Sequence, residues 1–351
     1  MTIGRWIGAE PPLIVLRVPG PRLHILWVCG APGAGKSTAA WSLFEELAAA
    51  GHRVAYADID QLGMLYPAVD GDPERHALKA TALAALVPGY LAAGARTLIV
   101  SGVVDVHTGA RTALPPDVDL TMVLLSPDPT TLRQRILARG PDHHEAEEAV
   151  AEDALLRNAA FVDGLITTAG LSLTDTVERL RAYTGEPRTS PDAPRRMVTS
   201  DAHMEVLVLT GPRAAGSSTI GFGLATRRWR AGRRTGFVDL QQLGFSWSRD
   251  GRVSSDATLA IVQLAVLHGL LAELGAGLLV VSGHLSVGDR ATLRAAVPAA
   301  RVTVVRLRAD RGSIEEHVSA RVRRSAARLA GDDLLDADRS HQEGVVLAAL
   351  A

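Results

Sequence analysis

The chain has 351 residues, 47% hydrophobic and 21% charged, which is the composition of a folded protein of about two domains and excludes a disordered or low-complexity chain. Its 37 basic residues balance 38 acidic ones to a formal charge of −1, so no overall field draws in nucleic acid or an anionic membrane. A lone cysteine, Cys29, excludes an intrachain disulfide and a cysteine-rich zinc site, and it fits a reducing compartment, with the cytoplasm as the expected location.

Residues 1–22 form an extension in which Pro11, Pro12, Pro19 and Pro21 interrupt any continuous apolar run, so they do not read as a signal peptide. The run HILWVC (24–29) then predicts a first strand, and STAAWSLFEELAAAG, after a glycine-rich loop, predicts a helix stopped by Gly51. VAYADID predicts the second strand, and ERHALKATALAALVPGYLAAG a helix ending near Gly94. LIVSG and LTMVLL predict strands three and four. Two helices around GPDHH follow, carrying Arg133, Arg135, Arg139 and Arg157, and His143 and His144 in that acidic loop read as solvated rather than metal-bound. Short apolar runs alternating with helices indicate an α/β fold, a parallel sheet covered on both faces.

The pattern then repeats. GAPGAGKST at 30–38 aligns with GPRAAGSST at 211–219, ADIDQLG at 57–63 with VDLQQLG at 238–244, and LIVSG at 98–102 with LVVSG at 279–283, all at the same offset, the one that carries Gly30 onto Gly211. TMVLLSPD and VTVVRLRAD follow after a one-residue insertion. The reading is a tandem duplication: an extension (1–22), a first domain (23–183), a linker rich in Pro, Ser and Thr (184–203) and a second domain (204–351). The apolar stretch 259–281 contains Gln263, His268, Glu273, Gly275 and Gly277, so it divides into a core helix and strand rather than a membrane span.

The loop Gly30, Ala31, Pro32, Gly33, Ala34, Gly35, Lys36, Ser37, Thr38 satisfies G-x-x-x-x-G-K-[ST] between a predicted strand and a predicted helix. Its glycines let backbone N–H groups turn toward phosphate oxygens at a helix N-terminus; Lys36 supplies a compact charge for the β- and γ-phosphates, and the Ser37 hydroxyl a ligand for Mg²⁺. Only two of the 37 basic residues are lysines, so each needs a reason why arginine does not serve. Lys36 has one in the phosphate loop. Lys79, on a helix with no motif, reads as a solvated surface residue.

These residues resemble the P-loop kinases that phosphorylate small molecules, the group holding shikimate, gluconate, adenylylsulfate and chloramphenicol kinases. The resemblance rests on GAPGAGKST, the D-x-D of ADID, LIVSG and the arginine-rich segment after strand four. It covers about 22–183 and, in decayed form, 204–351. It implies two tandem P-loop NTPase-type domains, ATP or GTP with Mg²⁺ as cofactor, and a small-molecule hydroxyl acceptor. It also implies Asp60 as base or orienter, and Arg139 and Arg157 on the transferring phosphoryl group.

Comparison of the two copies supports Asp60 independently. Asp58 recurs as Asp239, whereas Asp60 becomes Gln241 in the copy where Lys36 becomes Ser217, so the residue lost with the lysine belongs to the chemistry. Ser101 stands where a second acidic motif would often place an Asp, which leaves Mg²⁺ to Ser37 with Asp58 or to contacts through water and weakens a motor-ATPase reading. Asp105 and Arg111, on the loop after strand three, are expected acceptor contacts. The second copy, with an Arg-rich segment at Arg321, Arg323, Arg324 and Arg328, is expected to pack against the first as a partner without phosphoryl transfer; homo-oligomerisation is compatible with this plan. The competing readings are a regulatory nucleotide-binding protein and a plain NTP hydrolase.

Overall fold

The computed structural model of the chain describes residues 23–111, 114, 118–140, 142–185, 199–248, 253–322 and 339–350. The extension 1–22, most of the linker and Arg323, Arg324 and Arg328 lie outside the described residues.

The first half runs β1 (His24–Cys29), α1 (Lys36–Ala49), β2 (Val54–Asp58), α2 (Ile59–Leu62), β3 (Leu65–Tyr66), α3 (His76–Ala92), β4 (Thr97–Ser101), β5 (Asp119–Ser126), α4 (Pro129–Leu137), α5 (His143–Leu156), β6 (Gly164–Thr167) and α6 (Leu173–Arg181). The second half runs β7 (Glu205–Thr210), α7 (Ser217–Arg230), β8 (Thr235–Asp239), a 3-10 turn (Leu240–Leu243), β9 (Phe245–Trp247), β10 (Val253–Ser255), α8 (Ala257–Glu273), β11 (Leu278–Ser282), α9 (Val287–Ala296), β12 (Val302–Arg306), α10 (Arg311–Val322) and α11 (Arg339–Leu350). The bounds of β1, α1, β2, α3 and β4 recur in β7, α7, β8, α8 and β11, every one displaced by the offset that relates the two glycine loops.

Strands β2-β4-β1-β5-β6 form a parallel sheet, and β8-β11-β7-β12 repeat its first four positions in the second half. Both sheets are therefore mixed α/β layers of the same winding. The strands are apolar on both faces because helices cover both: β1 is buried at all six positions.

A parallel sheet of this kind leaves a bare edge, at β2 in one half and at β8 in the other. Each half closes the other's edge. β9, followed by β10, adds antiparallel to β2, and β3 adds antiparallel to β8. The pairs Ala55↔Ser246 and Leu65↔Gly236 are one pairing with the halves exchanged, since Gly236 and Ser246 are the repeat counterparts of Ala55 and Leu65. This is the self-complementary arrangement of a two-fold interface, built here within a single chain.

Side chains lock the exchange. Phe245 sits with its ring centroid 4.7 Å from Trp41 and 6.2 Å from Tyr56 of the first half, and Tyr66 lies 4.6 Å from Trp229 of the second. Arg234 donates to the carbonyls of Pro67 and Ala68 at 3.1 and 3.2 Å. Behind the strands α3 packs on α8, and Leu83, Leu86 and Tyr90 share one core with Leu264, Leu267 and Leu271. Helix α8 is buried nearly all round, which explains a long apolar stretch that is not a membrane segment. Among the described residues no helix is long and apolar enough to cross a membrane.

Because the core is continuous across the halves, heat should unfold the chain in one calorimetric transition, and Phe245→Ala should lower its stability by about 3–5 kcal/mol. Two resolved transitions, with only the second sensitive to Phe245, would contradict a shared core.

Candidate functional site

The site lies at the carboxyl edge of the first sheet. β1 ends at Cys29 and the chain turns sharply: Gly30 has φ 148°, and a Cβ there would stand 2.5 Å from the Leu125 carbonyl oxygen. Gly33 and Gly35 are left-handed at 82° and 92°, Ala34 N donates to Ala31 O at 3.1 Å, and Gly35 opens α1. The loop thus delivers the amino end of a 14-residue helix to the sheet edge.

Lys36 begins α1 and is 8% exposed. Its ammonium donates to the Ala31 carbonyl at 2.9 Å, and burial holds it below the usual lysine range. An anion in the loop would oppose that shift by favouring the charged form. Burial pushes the Cys29 thiol up to about 12, away from the thiolate form that a nucleophile needs.

Asp58 ends β2 and caps α2, accepting from the Asp60 backbone N–H at 2.9 Å. Ser37 Oγ faces Asp58 Oδ2 at 3.4 Å, Ser101 Oγ lies 3.4 Å from Ser37 Oγ, and the Tyr56 hydroxyl meets Ser101 at 2.7 Å. Burial, with the neighbouring Asp60 carboxylate, pushes Asp58 up to about 6. A half-buried carboxylate beside two hydroxyl oxygens is a hard donor set short of positive charge, and it fits Mg²⁺ better than a softer metal. Ser37 and Asp58 are the residues that would hold it.

Asp60 lies two residues further, in the first turn of α2, and is tied to Lys79, Nζ to Oδ1 at 2.8 Å. This corrects the surface assignment of Lys79, which is 5% exposed and reaches the cleft from the first turn of α3. Its stem passes over Gly63, where a Cβ would come within 2.5 Å of Lys79 Cγ. The Asp60 side chain keeps 45% of its surface open, so one oxygen is fixed and the carboxylate still faces the cleft. Glu152, half-buried on α5, feels the charges of Lys36, Asp60 and Lys79, and burial raises it. The sequence reading missed both Lys79 and Glu152. For Lys79 a signal existed: its repeat counterpart is Ala260, so it is lost together with Lys36 and Asp60.

The arginines are placed differently from expectation. Arg157 is engaged with Asp153 at 2.8 Å and the Pro127 carbonyl at 3.2 Å, and Asp153 also accepts from Ser126, so the group ties α5 to the end of β5. Arg139 is exposed beyond α4 and forms no ion pair with a described residue. Arg135 instead reaches the phosphate loop, donating to Gly33 O at 3.1 Å. Arg111 grips Asp163 with a 2.8 Å contact and the Leu120 carbonyl at 3.1 Å; Leu120 lies at the beginning of β5, away from the carboxyl edge. Asp105 caps its own turn through the N–H groups of His107 and Thr108. The loop 30–38, Asp58 and Asp60 therefore converge, while Arg111 and Arg139 stand apart. Among the described residues no group of three or more His, Cys, Asp or Glu is arranged to hold a metal.

The second half keeps the framework and not the charges. Ser218 donates to Asp239 at 2.6 Å and Ser282 donates to the same carboxylate at 3.1 Å, at the positions of Ser37, Asp58 and Ser101, but Ser217, Gln241 and Ala260 replace Lys36, Asp60 and Lys79.

A protein-family model described as an AAA domain matches residues 25–161, from β1 through α5. Among solved structures, similar chains include the tunicamycin resistance protein of Deinococcus radiodurans (19% identity, 48% of this chain and 100% of that one, TM-score 0.35). Others are a gluconokinase from Sinorhizobium meliloti (17%, 47% and 91%, 0.33) and the APS kinase of Mycobacterium tuberculosis in complex with AMPPNP and APS (16%, 46% and 98%, 0.32). No curated protein sequence matches the chain significantly. The segment that the family model matches holds the phosphate loop and four parallel strands of the first sheet.

Gly30→Ala should cost about 1–3 kcal/mol of stability, because it forces a side chain into positive φ against a backbone carbonyl. It should also abolish the Lys36-dependent binding of magnesium–ADP measured by calorimetry. Retained affinity would mean that the loop is not where phosphate binds.

Proposed function

We propose that the first half is an ATP- and Mg²⁺-dependent phosphotransferase acting on a hydroxyl of a small molecule, and that the second half is a duplicated copy that no longer transfers phosphate. The observation that carries this reading is the convergence of Lys36, Ser37, Asp58 and Asp60 at one sheet edge, with Asp60 held by Lys79.

Each group has a role its chemistry suits. The loop amides and Lys36 hold the β- and γ-phosphates and gain strength as charge shifts toward the leaving oxygen. Mg²⁺, bound by Ser37 and Asp58, would supply charge neutralisation for the phosphates. Asp60 orients the acceptor: as the acceptor oxygen bonds to the γ-phosphorus and the bond to the ADP oxygen breaks, the hydroxyl proton passes to the Asp60 carboxylate. Lys79 does not touch the reacting atoms. It is a positioning residue that fixes one Asp60 oxygen and leaves the other toward the cleft. Arg135, reaching the loop from α4, is better placed than Arg139 or Arg157 to follow phosphate charge. We place the chain in the cytoplasm, where its buried single cysteine stays reduced.

The test is ATP consumption by the full chain across a library of hydroxyl-bearing metabolites. One acceptor class should accelerate turnover, and Lys36→Ala and Asp60→Asn should each lower it by on the order of 10²-fold or more. Slow turnover that no small molecule accelerates would favour the hydrolase or switch readings instead. With an acceptor in hand, Lys79→Ala should lower kcat by roughly tenfold or more with little change in the KM for ATP, as expected when a transition-state contact and not ground-state binding is lost. A rise in KM for ATP at constant kcat would remove Lys79 from this role.

A further inference from the structure

The cleft of the second half is not a relic collapsed on itself. It encloses a cavity of about 700 Å³, within the size range of sites for small organic ligands. Its wall is the loop that corresponds to the phosphate loop. That loop keeps its shape without its lysine: Ala215 N donates to Pro212 O at 3.2 Å where Ala34 N donates to Ala31 O at 3.1 Å, and Gly216 opens α7 with φ 87° where Gly35 opens α1 with 92°.

The charges around the cavity have been rebuilt. Arg213, Arg290, Arg306 and Arg321 line it. By the repeat offset, lengthened by one position past the insertion, their counterparts in the first half are Pro32, Gly109, Leu124 and Arg139. The pairing registers agree, with Arg306 beside Thr210 as Leu124 is beside Cys29. Three arginines thus stand where the first half has no charge. They come from three separate segments, the loop, α9 and the end of β12. Arg290 also keeps its Nε buried with no hydrogen-bond partner among the described residues. Two carboxylates line the cavity as well, but each is already engaged: Asp239 accepts from Ser218 and Ser282, and Asp289 caps α9 with Ser286. Arg213, Arg290, Arg306 and Arg321 thus set four guanidinium groups in the cavity wall beside these two bonded carboxylates. Guanidinium forks suit the several oxygens of a phosphate held in place better than a single moving charge does.

We propose that the second cleft is a separate, non-transferring binding site for a polyphosphate-bearing ligand, held by the loop amides and these arginines. The loss of Lys36, Asp60 and Lys79 at Ser217, Gln241 and Ala260 removes the groups assigned to transfer, and the added arginines retain the affinity for phosphate. The inference uses the reading of the first cleft only to identify the groups needed for transfer. The 3-10 turn at Leu240–Leu243, part of which lines the cavity, leads into β9, so an occupant bears on the strand that closes the first sheet.

The experiment is calorimetric titration of the full chain with inorganic pyrophosphate and with magnesium–ADP, on wild type, Lys36→Ala and the double variant Arg290→Ala with Arg306→Ala. Wild type should bind two equivalents. The arginine double variant should weaken one of them at least tenfold and leave the other intact, and Lys36→Ala should affect only that other one. Ser217→Lys, which restores the loop ammonium, should tighten the second equivalent by on the order of tenfold, a gain that misfolding cannot produce. Binding of magnesium–ADP at the second site would identify a nucleotide, and binding of pyrophosphate alone a simpler polyphosphate. A single equivalent, abolished by Lys36→Ala and indifferent to the arginine and Ser217 variants, would overturn the proposal. A single equivalent lost only in the arginine variant would sustain it and refute phosphate binding in the first cleft.

Discussion

An open parallel sheet has two edges, and unpaired backbone N–H and C=O groups along an edge invite pairing with whatever strand is near. In this chain that constraint is met by exchange: β9 pairs with β2 and β3 pairs with β8. Much else follows from it. The exchanged strands bring α3 against α8 and merge two cores into one, and they carry Phe245 onto Trp41 and Tyr56. Tyr56 in turn bonds Ser101, whose hydroxyl neighbours Ser37 in the phosphate site. A residue of the second half therefore supports the wall of the first cleft from behind.

The first cleft concentrates opposed charges, with both lysines largely withdrawn from water. Lys36 and Lys79 face Asp58, Asp60 and Glu152, and burial disfavours the charged form of Lys36, Asp58 and Glu152. Such a cluster is costly unless each charge finds a partner, and a phosphate with its metal would complete it. The lysine bias of the chain acquires a physical reason here. Both lysines of a sequence with 35 arginines lie in this one cleft. Lys36 needs a compact charge inside a tight loop, and Lys79 threads a narrow stem past Gly63 to end on Asp60.

The regular framework was legible from local pattern, because HILWVC, LIVSG and the glycine loop carry their structure in their own residues, and the repeat fixed their counterparts in the second half. The exchanged strands were not. Leu65–Tyr66 and Phe245–Trp247 are too short to show a period, and their partners lie in the other half. Lys79 was misplaced for a related reason: α3 is enclosed by α2 and α8, so no polar face distinguishes an exposed lysine from a buried one. Arg111 and Arg157 show a further limit. The sequence revealed cations near the right strands, but which carboxylate each would meet depends on Asp163 and Asp153, placed by the tertiary fold. The replacement of Lys79 by Ala260 alongside the loss of Lys36 and Asp60 was the one sequence signal that pointed to its true position.

The central claim, that the first cleft moves a phosphoryl group to an organic hydroxyl, is tested most directly by following the label from ATP marked at the γ-phosphate in the presence of a small-molecule extract. The account predicts label in an organic phosphate ester with the intact chain and none with Lys36→Ala. Label released only as inorganic phosphate, at a rate the extract does not change, would contradict it.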